Sequence, residues 1–117
     1  MVDFSLTKKQ ISMQKMARDF TKKEIIPVSK ELDQANEIKF SLGLYRKLAQ
    51  NNFTVLMIPE KYGGAGLDCF SAGVIVEELA VGCAAIAFTS ASNFVTALPV
   101  ILAGNDEQKE KFLPIFL

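Results

Sequence analysis

The sequence predicts an all-α domain, a compact bundle of about five or six helices over residues 1–117. Apolar residues recur at helical spacing in four segments, and capping residues precede several of these segments. Alternating apolar and polar runs, which would predict a sheet, do not stand out anywhere in the sequence. A chain of 117 residues is long enough to bury a core as one domain.

The first helix is predicted to begin near Lys8, because Thr7 followed by Gln10 is a capping-box pattern. Pro27 interrupts the helical pattern that follows. The helix therefore either kinks there or restarts with Pro27 in its first turn. One apolar face of this helix consists of Met13, Met16, Ala17 and Phe20.

A second helix is predicted from Ser41 or Leu42 to about Asn51, with Leu44 and Leu48 turned inward. Residues 53–58 are a short apolar run. We expect them to form an extended, buried segment, since no partner strand is evident elsewhere.

A third helix is predicted from Asp68, which offers an N-cap, to about Gly82. Near the end of the chain, Asn105 or Asp106 is positioned to cap a final helix.

Residues 79–105 carry no charged side chain, so a transmembrane helix must be considered. The sequence argues against a membrane span, because small polar residues fall in the middle of the stretch and Pro99 interrupts it. We expect residues 84–103 to form a central helix that protein packs on every side. The small polar residues are Thr89, Ser90, Ser92, Asn93 and Thr96.

Composition excludes several kinds of site. Thirteen basic and thirteen acidic residues cancel, which gives no reason to propose nucleic acid as a partner. The chain has no His, the commonest general base and metal ligand, and we expect no metal site. Cys69 and Cys83 lack metal-ligand spacing and are expected to be free thiols, buried or partly buried.

Two motifs are more simply explained by structure than by chemistry. The glycine-rich residues 63–66 lack the lysine and the strand–helix frame of a phosphate loop, so they predict a turn. Glu77 and Glu78 are neighbours on a helix and point about 100° apart, so they cannot act as an acid/base pair. We expect one to be buried beside a backbone group and the other to be solvated.

One apolar stripe remains as a candidate site. On a helix over residues 84–103, Phe88, Ala91, Ser92 and Val95 fall at i, i+3, i+4 and i+7. The small residues Ala91 and Ser92 leave room beside the helix. That room either allows close helix packing or forms one wall of an apolar ligand channel.

The most specific motif is residues 59–68, Pro-Glu-Lys-Tyr-Gly-Gly-Ala-Gly-Leu-Asp. It resembles the acyl-CoA dehydrogenase family, in which such a loop links helices of the N-terminal helical domain. Residues 77–80, Glu-Glu-Leu-Ala, and residues 108–114, Gln-Lys-Glu-Lys-Phe-Leu-Pro, match the family in the same order. The resemblance covers essentially the whole chain.

The resemblance implies the first of three domains, followed in the family by a middle β-domain and a C-terminal helical bundle. It implies FAD-dependent conversion of an acyl-CoA thioester to its trans-2-enoyl form. A carboxylate base removes the α-proton, and a hydride leaves the β-carbon for the flavin. The base and most flavin contacts belong to the other domains. The chain is therefore expected to hold no catalytic or cofactor-binding residue, and to be inactive and free of FAD by itself.

The resemblance further implies acyl-CoA as substrate, an electron-transfer flavoprotein as acceptor and a homotetramer for the full-length enzyme. It favours the channel interpretation of Phe88, Ala91, Ser92 and Val95, because the matching helix lines the acyl-chain cavity in the family. Because the N-terminus lacks a targeting pattern, a cytoplasmic location is expected for a bacterial protein, and the mitochondrial matrix for a eukaryotic one. The alternatives are an acyl-CoA oxidase, a nitroalkane oxidase, or a helical module that binds protein or lipid.

Overall fold

The computed structural model describes residues 5–34 and 42–117, and the predicted all-α class is confirmed for these ranges, which contain no strand. Ser41, one predicted start of the second helix, lies outside the described residues. The α-helices are α1 (Lys8–Phe20), α2 (Ile26–Gln34), α3 (Leu42–Gln50), α4 (Cys69–Gly82), α5 (Ala84–Ala103) and α6 (Asp106–Phe112).

The capping box predicted at the start of α1 is confirmed. Thr7 Oγ1 accepts a hydrogen bond from the Gln10 backbone N–H at 3.2 Å, and Gln10 Oε1 accepts one from the Thr7 N–H at 2.9 Å. A π-helical turn, Thr21–Ile25, then joins α1 to α2 without a break. Pro27 is the second residue of α2 and so lies in the first turn of a helix, as one of the two predictions had it. The chain nevertheless stays helical from α1 into α2.

The π-helical turn lies against the C-terminal end of α4. Thr21 Oγ1 donates to the backbone carbonyl of Glu78 at 3.0 Å. A Cβ placed on Gly82 would lie 2.7 Å from Thr21 Cγ2 and 2.8 Å from Ile25 Cγ2. Because a glycine carries no Cβ, the end of α4 can approach the turn this closely.

Helix α4, and not α5, is the central helix of the domain. It packs against α1 and also against α5, and buries six residues, Ser71, Ala72, Val74, Ile75, Glu78 and Leu79. In α5 only Ala87, Ser90 and Ala97 are buried. The prediction that protein packs residues 84–103 on every side was therefore wrong for this domain. Composition alone could not distinguish α5 from α4, because both helices are rich in small and apolar residues.

The segment over residues 53–58 is buried, as predicted, but it is not extended. It consists of consecutive turns, with hydrogen bonds from Val55 N to Asn52 O and from Ile58 N to Val55 O, both 3.3 Å. The segment pairs with the glycine-rich loop through Leu67 N and the Leu56 carbonyl at 2.8 Å. The carbonyls of Val55, Leu56 and Ile58 thus accept hydrogen bonds from this loop, and no strand partner is needed for them.

The domain is flat, with extents of 43 × 41 × 22 Å. A helix with its side chains is about 10–12 Å in diameter, so the smallest extent corresponds to two layers of helices. A helix in a two-layer domain has protein on one side and an uncovered face on the other. This geometry leaves the outer face of α5 open.

Candidate functional site

The predicted stripe on α5 lies on the open side of that helix. Phe88 and Val95 are 73% and 60% exposed, and Ala91 and Ser92 between them are half-buried. The structure therefore brings the four residues together on one face, named here the α5 stripe. It is an apolar surface that the domain presents outward, with a low point at Ala91 and Ser92 between two larger side chains.

The hydroxyl groups on the exposed part of α5 are already satisfied within the helix. Thr89 Oγ1 donates to the Ala85 carbonyl at 2.8 Å, and Ser92 Oγ donates to the Thr89 carbonyl at 2.9 Å. Thr96 Oγ1 repeats the pattern with the Ser92 carbonyl at 2.7 Å. Because these donors already have acceptors, an apolar group could cover them without leaving a hydroxyl proton unpaired.

The opposite side of α5 anchors the helix to the domain. Ser90 is buried and donates from Oγ to the Phe53 backbone carbonyl, while Asn93 Nδ2 donates to Tyr45 Oη at 2.9 Å. These contacts join α5 to the buried turn segment and to α3. They fix the rotation of α5 about its own axis and so determine which side chains form the α5 stripe.

By length and composition alone, α5 could cross a membrane. Its most apolar window has a mean hydropathy of 1.6, and 17% of that window is buried within the domain. Length and hydropathy do not distinguish a lipid-facing helix from one that other protein covers.

One of the neighbouring residues Glu77 and Glu78 is buried and the other is exposed, as the sequence predicts, but the partner of the buried one differs from the prediction. Glu77 is exposed, and Glu78 is buried at 7% exposure. The partner of Glu78 is the Arg18 guanidinium and not a backbone group. Arg18 Nε and Nη2 lie 3.0 and 2.5 Å from the two carboxylate oxygens. The hydrogen bonds from Arg18 hold the pKa of Glu78 below its ordinary value.

This ion pair connects α1 to the central helix and makes Glu78 a poor general base. A carboxylate whose pKa is lowered, and whose two oxygens both accept from one guanidinium, binds a proton weakly. Sequence analysis missed the pair because 60 residues separate the partners. A buried acidic residue predicts that some cation or donor lies nearby, but not which one.

Two surface depressions lie away from the α5 stripe, and sequence analysis found neither. One has a volume of about 330 Å³ and lies between α1, the turn segment and α4. Its lining is Lys9, Met13, Met16, Asn51, Asn52, Phe53, Leu56, Ala65, Leu67 and Ile75. The other, of about 440 Å³, lies between the glycine-rich loop and the last residues of the chain, lined by Lys61, Tyr62, Gly63, Glu110, Pro114 and Leu117.

The two thiols are free, as predicted, but they differ in exposure. Cys83 is half-buried, whereas Cys69 is exposed at the first position of α4, so the prediction of burial was wrong for Cys69. Within residues 5–34 and 42–117, no group of three His, Cys, Asp or Glu side chains is arranged to hold a metal ion.

Comparison with known proteins agrees with the motif in the glycine-rich loop. Residues 7–117 match the family model of the acyl-CoA dehydrogenase N-terminal domain. A 3-(aryl)acrylate reductase of Clostridium sporogenes is 42% identical over 103 residues, which are 86% of this chain and 26% of the relative.

Solved structures show the same relationship. The butyryl-CoA dehydrogenase of Megasphaera elsdenii is 34% identical, with a TM-score of 0.83. A chain in a structure of the electron transferring flavoprotein of Acidaminococcus fermentans is also 34% identical, with a TM-score of 0.87. Each match covers 98% of this chain and 30% of the longer one.

The chain thus spans between a quarter and a third of the length of these relatives. The family match extends over nearly all of its residues, and the helical fold agrees with the solved structures. The predicted resemblance is confirmed: this chain belongs to the acyl-CoA dehydrogenase family, as its N-terminal helical domain.

Proposed function

We propose that this chain is the N-terminal domain of an FAD-dependent enzyme that dehydrogenates an acyl-CoA thioester between its α and β carbons. We further propose that the α5 stripe is one wall of the cavity that holds the acyl chain. The observation that carries this proposal is the outward-facing apolar surface of α5, in which Phe88 and Val95 are largely exposed and flank Ala91 and Ser92.

The chemistry of the stripe suits an acyl chain and does not suit a flavin nucleotide. It offers a phenyl ring, a methyl group, an isopropyl group and one hydroxyl that already donates to a backbone carbonyl. A flavin nucleotide needs hydrogen-bond donors for its phosphates and ring nitrogens. The residues of the stripe therefore do not fit FAD. We assign the cofactor to the parts of a longer protein that this chain does not match.

The catalytic base is also assigned outside this chain. Glu78 is paired with Arg18, and Glu77 is an exposed residue of α4, whereas the stripe belongs to α5. The role of this domain is to bind and orient the apolar part of the substrate and to exclude water from it. The isolated chain is therefore expected neither to bind FAD nor to turn over acyl-CoA.

A second candidate function is the reverse hydrogen transfer, reduction of an α,β-unsaturated acyl group. It is favoured by the relative at 42% identity, which is a 3-(aryl)acrylate reductase. An acrylate carries its double bond between the α and β carbons, the bond that a dehydrogenase of this family forms. The same apolar wall would serve either direction.

The remaining expectations concern the full-length protein and are part of the proposal. Its partners would be acyl-CoA and an electron-transfer flavoprotein, and its assembly a homotetramer. No nucleic acid and no membrane span are proposed. The location would be the cytoplasm in a bacterium, or the mitochondrial matrix in a eukaryote. The balanced charge of the chain gives no reason to propose nucleic acid as a partner. The match to a chain in a structure of an electron transferring flavoprotein favours such a protein as the electron acceptor.

Substitution of Ala91 by Phe in the full-length enzyme tests the assignment of the wall. The larger side chain would fill the low point of the stripe and exclude the terminal methylenes of a long acyl chain. Each methylene contributes about 0.8 kcal/mol on burial, so losing three or four costs about 2–3 kcal/mol. That loss corresponds to roughly a 100-fold drop in kcat/KM for long acyl chains, with little change for short ones.

The matched control is Ala80→Phe, because Ala80 is an exposed alanine on α4 outside the stripe. Activity should be followed with a dye acceptor across a series of acyl-CoA lengths, and with a reduced dye and an aryl acrylate for the reverse reaction. If Ala91→Phe lowers kcat/KM equally for long and short chains in folded protein, the wall assignment is wrong. Activity in the reductive assay alone would favour the second candidate.

A further inference from the structure

Asn93 holds α5 from the side opposite the α5 stripe. Its side chain is half-buried, and its Nδ2 donates a hydrogen bond to Tyr45 Oη on α3 at 2.9 Å. Successive residues of an α-helix are about 100° apart around the axis, so Asn93 lies about 160° from both Ala91 and Val95. The bond therefore joins the back of α5 to another helix, and Asn93 itself does not belong to the stripe.

A second hydrogen bond on the same side of α5 is made by Ser90, which is buried and donates from Oγ to the Phe53 carbonyl. One bond fixes a point, whereas two bonds to different segments also oppose rotation of the helix about its axis. The other buried residues of α5 are Ala87 and Ala97. Apolar contacts of methyl groups are non-directional, while a hydrogen bond requires a particular distance and angle. The Ser90 and Asn93 bonds together therefore select one rotation of α5.

Tyr45 offers a fixed acceptor, because the rest of α3 is attached to the domain on either side of it. Leu44 and Leu48 are 6% and 1% exposed and belong to the main core cluster. Lys47 Nζ donates to Glu24 Oε2 in the π-helical turn. These contacts hold α3 in place, and with it the hydroxyl group of Tyr45.

A small rotation of α5 would displace the stripe by a distance that matters for a bound acyl group. Side-chain ends lie about 5–6 Å from the axis of a helix, so a rotation of about 15° moves them by about 1.5 Å. A misplacement of about 1 Å, caused away from the reacting atoms, can cost on the order of 100-fold in rate. The low point at Ala91 and Ser92 would move sideways under a long acyl chain. A short chain that does not reach this point would be unaffected.

On the basis of the proposed function of the α5 stripe, we propose that Asn93 is a positioning residue for the acyl group. Its hydrogen bond to Tyr45 sets the rotation of α5 and thereby the chain length that the wall accepts. Neither Asn93 nor Tyr45 belongs to the stripe. Both act through the direction in which α5 presents Ala91 and Ser92 to the substrate.

The test uses two substitutions in the full-length enzyme that remove the bond in different ways. Tyr45→Phe removes the hydroxyl and keeps the ring, while Asn93→Leu removes the amide and keeps the approximate shape of the side chain. The measurement is kcat/KM with a dye acceptor for a long and a short acyl-CoA. We expect either substitution to lower the long-to-short ratio by about 5-fold to 10-fold, with kcat for the short substrate unchanged.

The double variant Tyr45→Phe/Asn93→Leu shows whether one bond is responsible for the effect. It should lower the ratio no more than either single variant, because the same bond is lost in all three proteins. If the two losses multiply, the residues act independently and the proposal is wrong. If Asn93→Leu does not fold, Tyr45→Phe decides by itself.

Thr7→Ala is the matched control for stability. It removes a hydrogen bond of 3.2 Å at the start of α1, and it should lower the Tm without changing the long-to-short ratio. An equal drop in the ratio for Thr7→Ala would show a general effect of destabilisation and overturn the proposal. An unchanged ratio for Tyr45→Phe would leave the bond with a structural role alone and overturn it as well.

Ala91→Phe separates this proposal from the assignment of the wall. If Ala91→Phe changes the chain-length preference and Tyr45→Phe does not, the positioning role of Asn93 is wrong and the wall assignment stands. If neither substitution changes the preference, the wall assignment is wrong and the positioning role fails with it.

Discussion

Gly64 allows a backbone contact that no other residue could make, and Gly64→Ala is therefore expected to destabilise the domain. A Cβ at this position would lie 2.0 Å from the carbonyl oxygen of Ile58 and 2.4 Å from its Cβ. Real Cβ atoms essentially never lie within 3.0 Å of a non-bonded atom, so the backbone would have to move. The Ile58 carbonyl cannot move away without losing a hydrogen bond, because it accepts one from Gly66 N at 2.9 Å.

The magnitude follows from these contacts. Overpacking in a close-packed region costs about 1–3 kcal/mol, and loss of the hydrogen bond between Ile58 and Gly66 would add about 1 kcal/mol. The free energy of unfolding should therefore fall by about 2–4 kcal/mol. For a domain of this size, that change lowers the Tm by on the order of 10 °C.

Gly73→Ala is the matched control, since Gly73 is exposed on α4 and a Cβ there would meet nothing within 4 Å. Alanine favours the helix over glycine by about 0.5–1 kcal/mol, so this variant should be more stable than the wild type. Thermal unfolding followed by circular dichroism measures both. A Gly64→Ala protein as stable as the wild type would show that the loop does not make this close contact.

Two further predictions concern single interactions. Arg18 holds the pKa of Glu78 below its ordinary value of 4.5, so the carboxylate stabilises the fold above about pH 4.5 and loses that contribution as the pH falls through its folded-state pKa. Glu78→Gln should therefore lower the free energy of unfolding at pH 7, and this free energy should fall less steeply below pH 4.5 than in the wild type. Urea unfolding at several pH values measures both effects. A pH profile parallel to that of the wild type would contradict this. Asn105 caps α6 by accepting a hydrogen bond from Gln108 N at 2.8 Å. Asn105→Ala should therefore lower the free energy of unfolding by about 1 kcal/mol in the same urea measurements. An unchanged unfolding midpoint would count against the cap.

The helix boundaries were largely predictable from the sequence, because caps act over three or four residues. Thr7, Asp68 and Asn105 each accept a hydrogen bond from the backbone N–H three residues later, as their residue types predict. The glycine-rich loop was predictable for a similar reason, since Gly63 and Gly66 have φ values of 91° and 60°, which favour glycine. These local signals were also sufficient to indicate the family.

The tertiary structure alone decided which surfaces meet. The apolar composition of α4 and α5 is similar, and only packing showed that α4 is central while α5 keeps an open face. The partner of Glu78 lies 60 residues away, a distance at which no periodicity operates. Residues 53–58 form turns because the glycine-rich loop lies beside them and donates hydrogen bonds to their carbonyls. Hydrogen bonds between neighbouring residues leave a pattern in the sequence, whereas contacts between distant segments depend on how the whole chain packs.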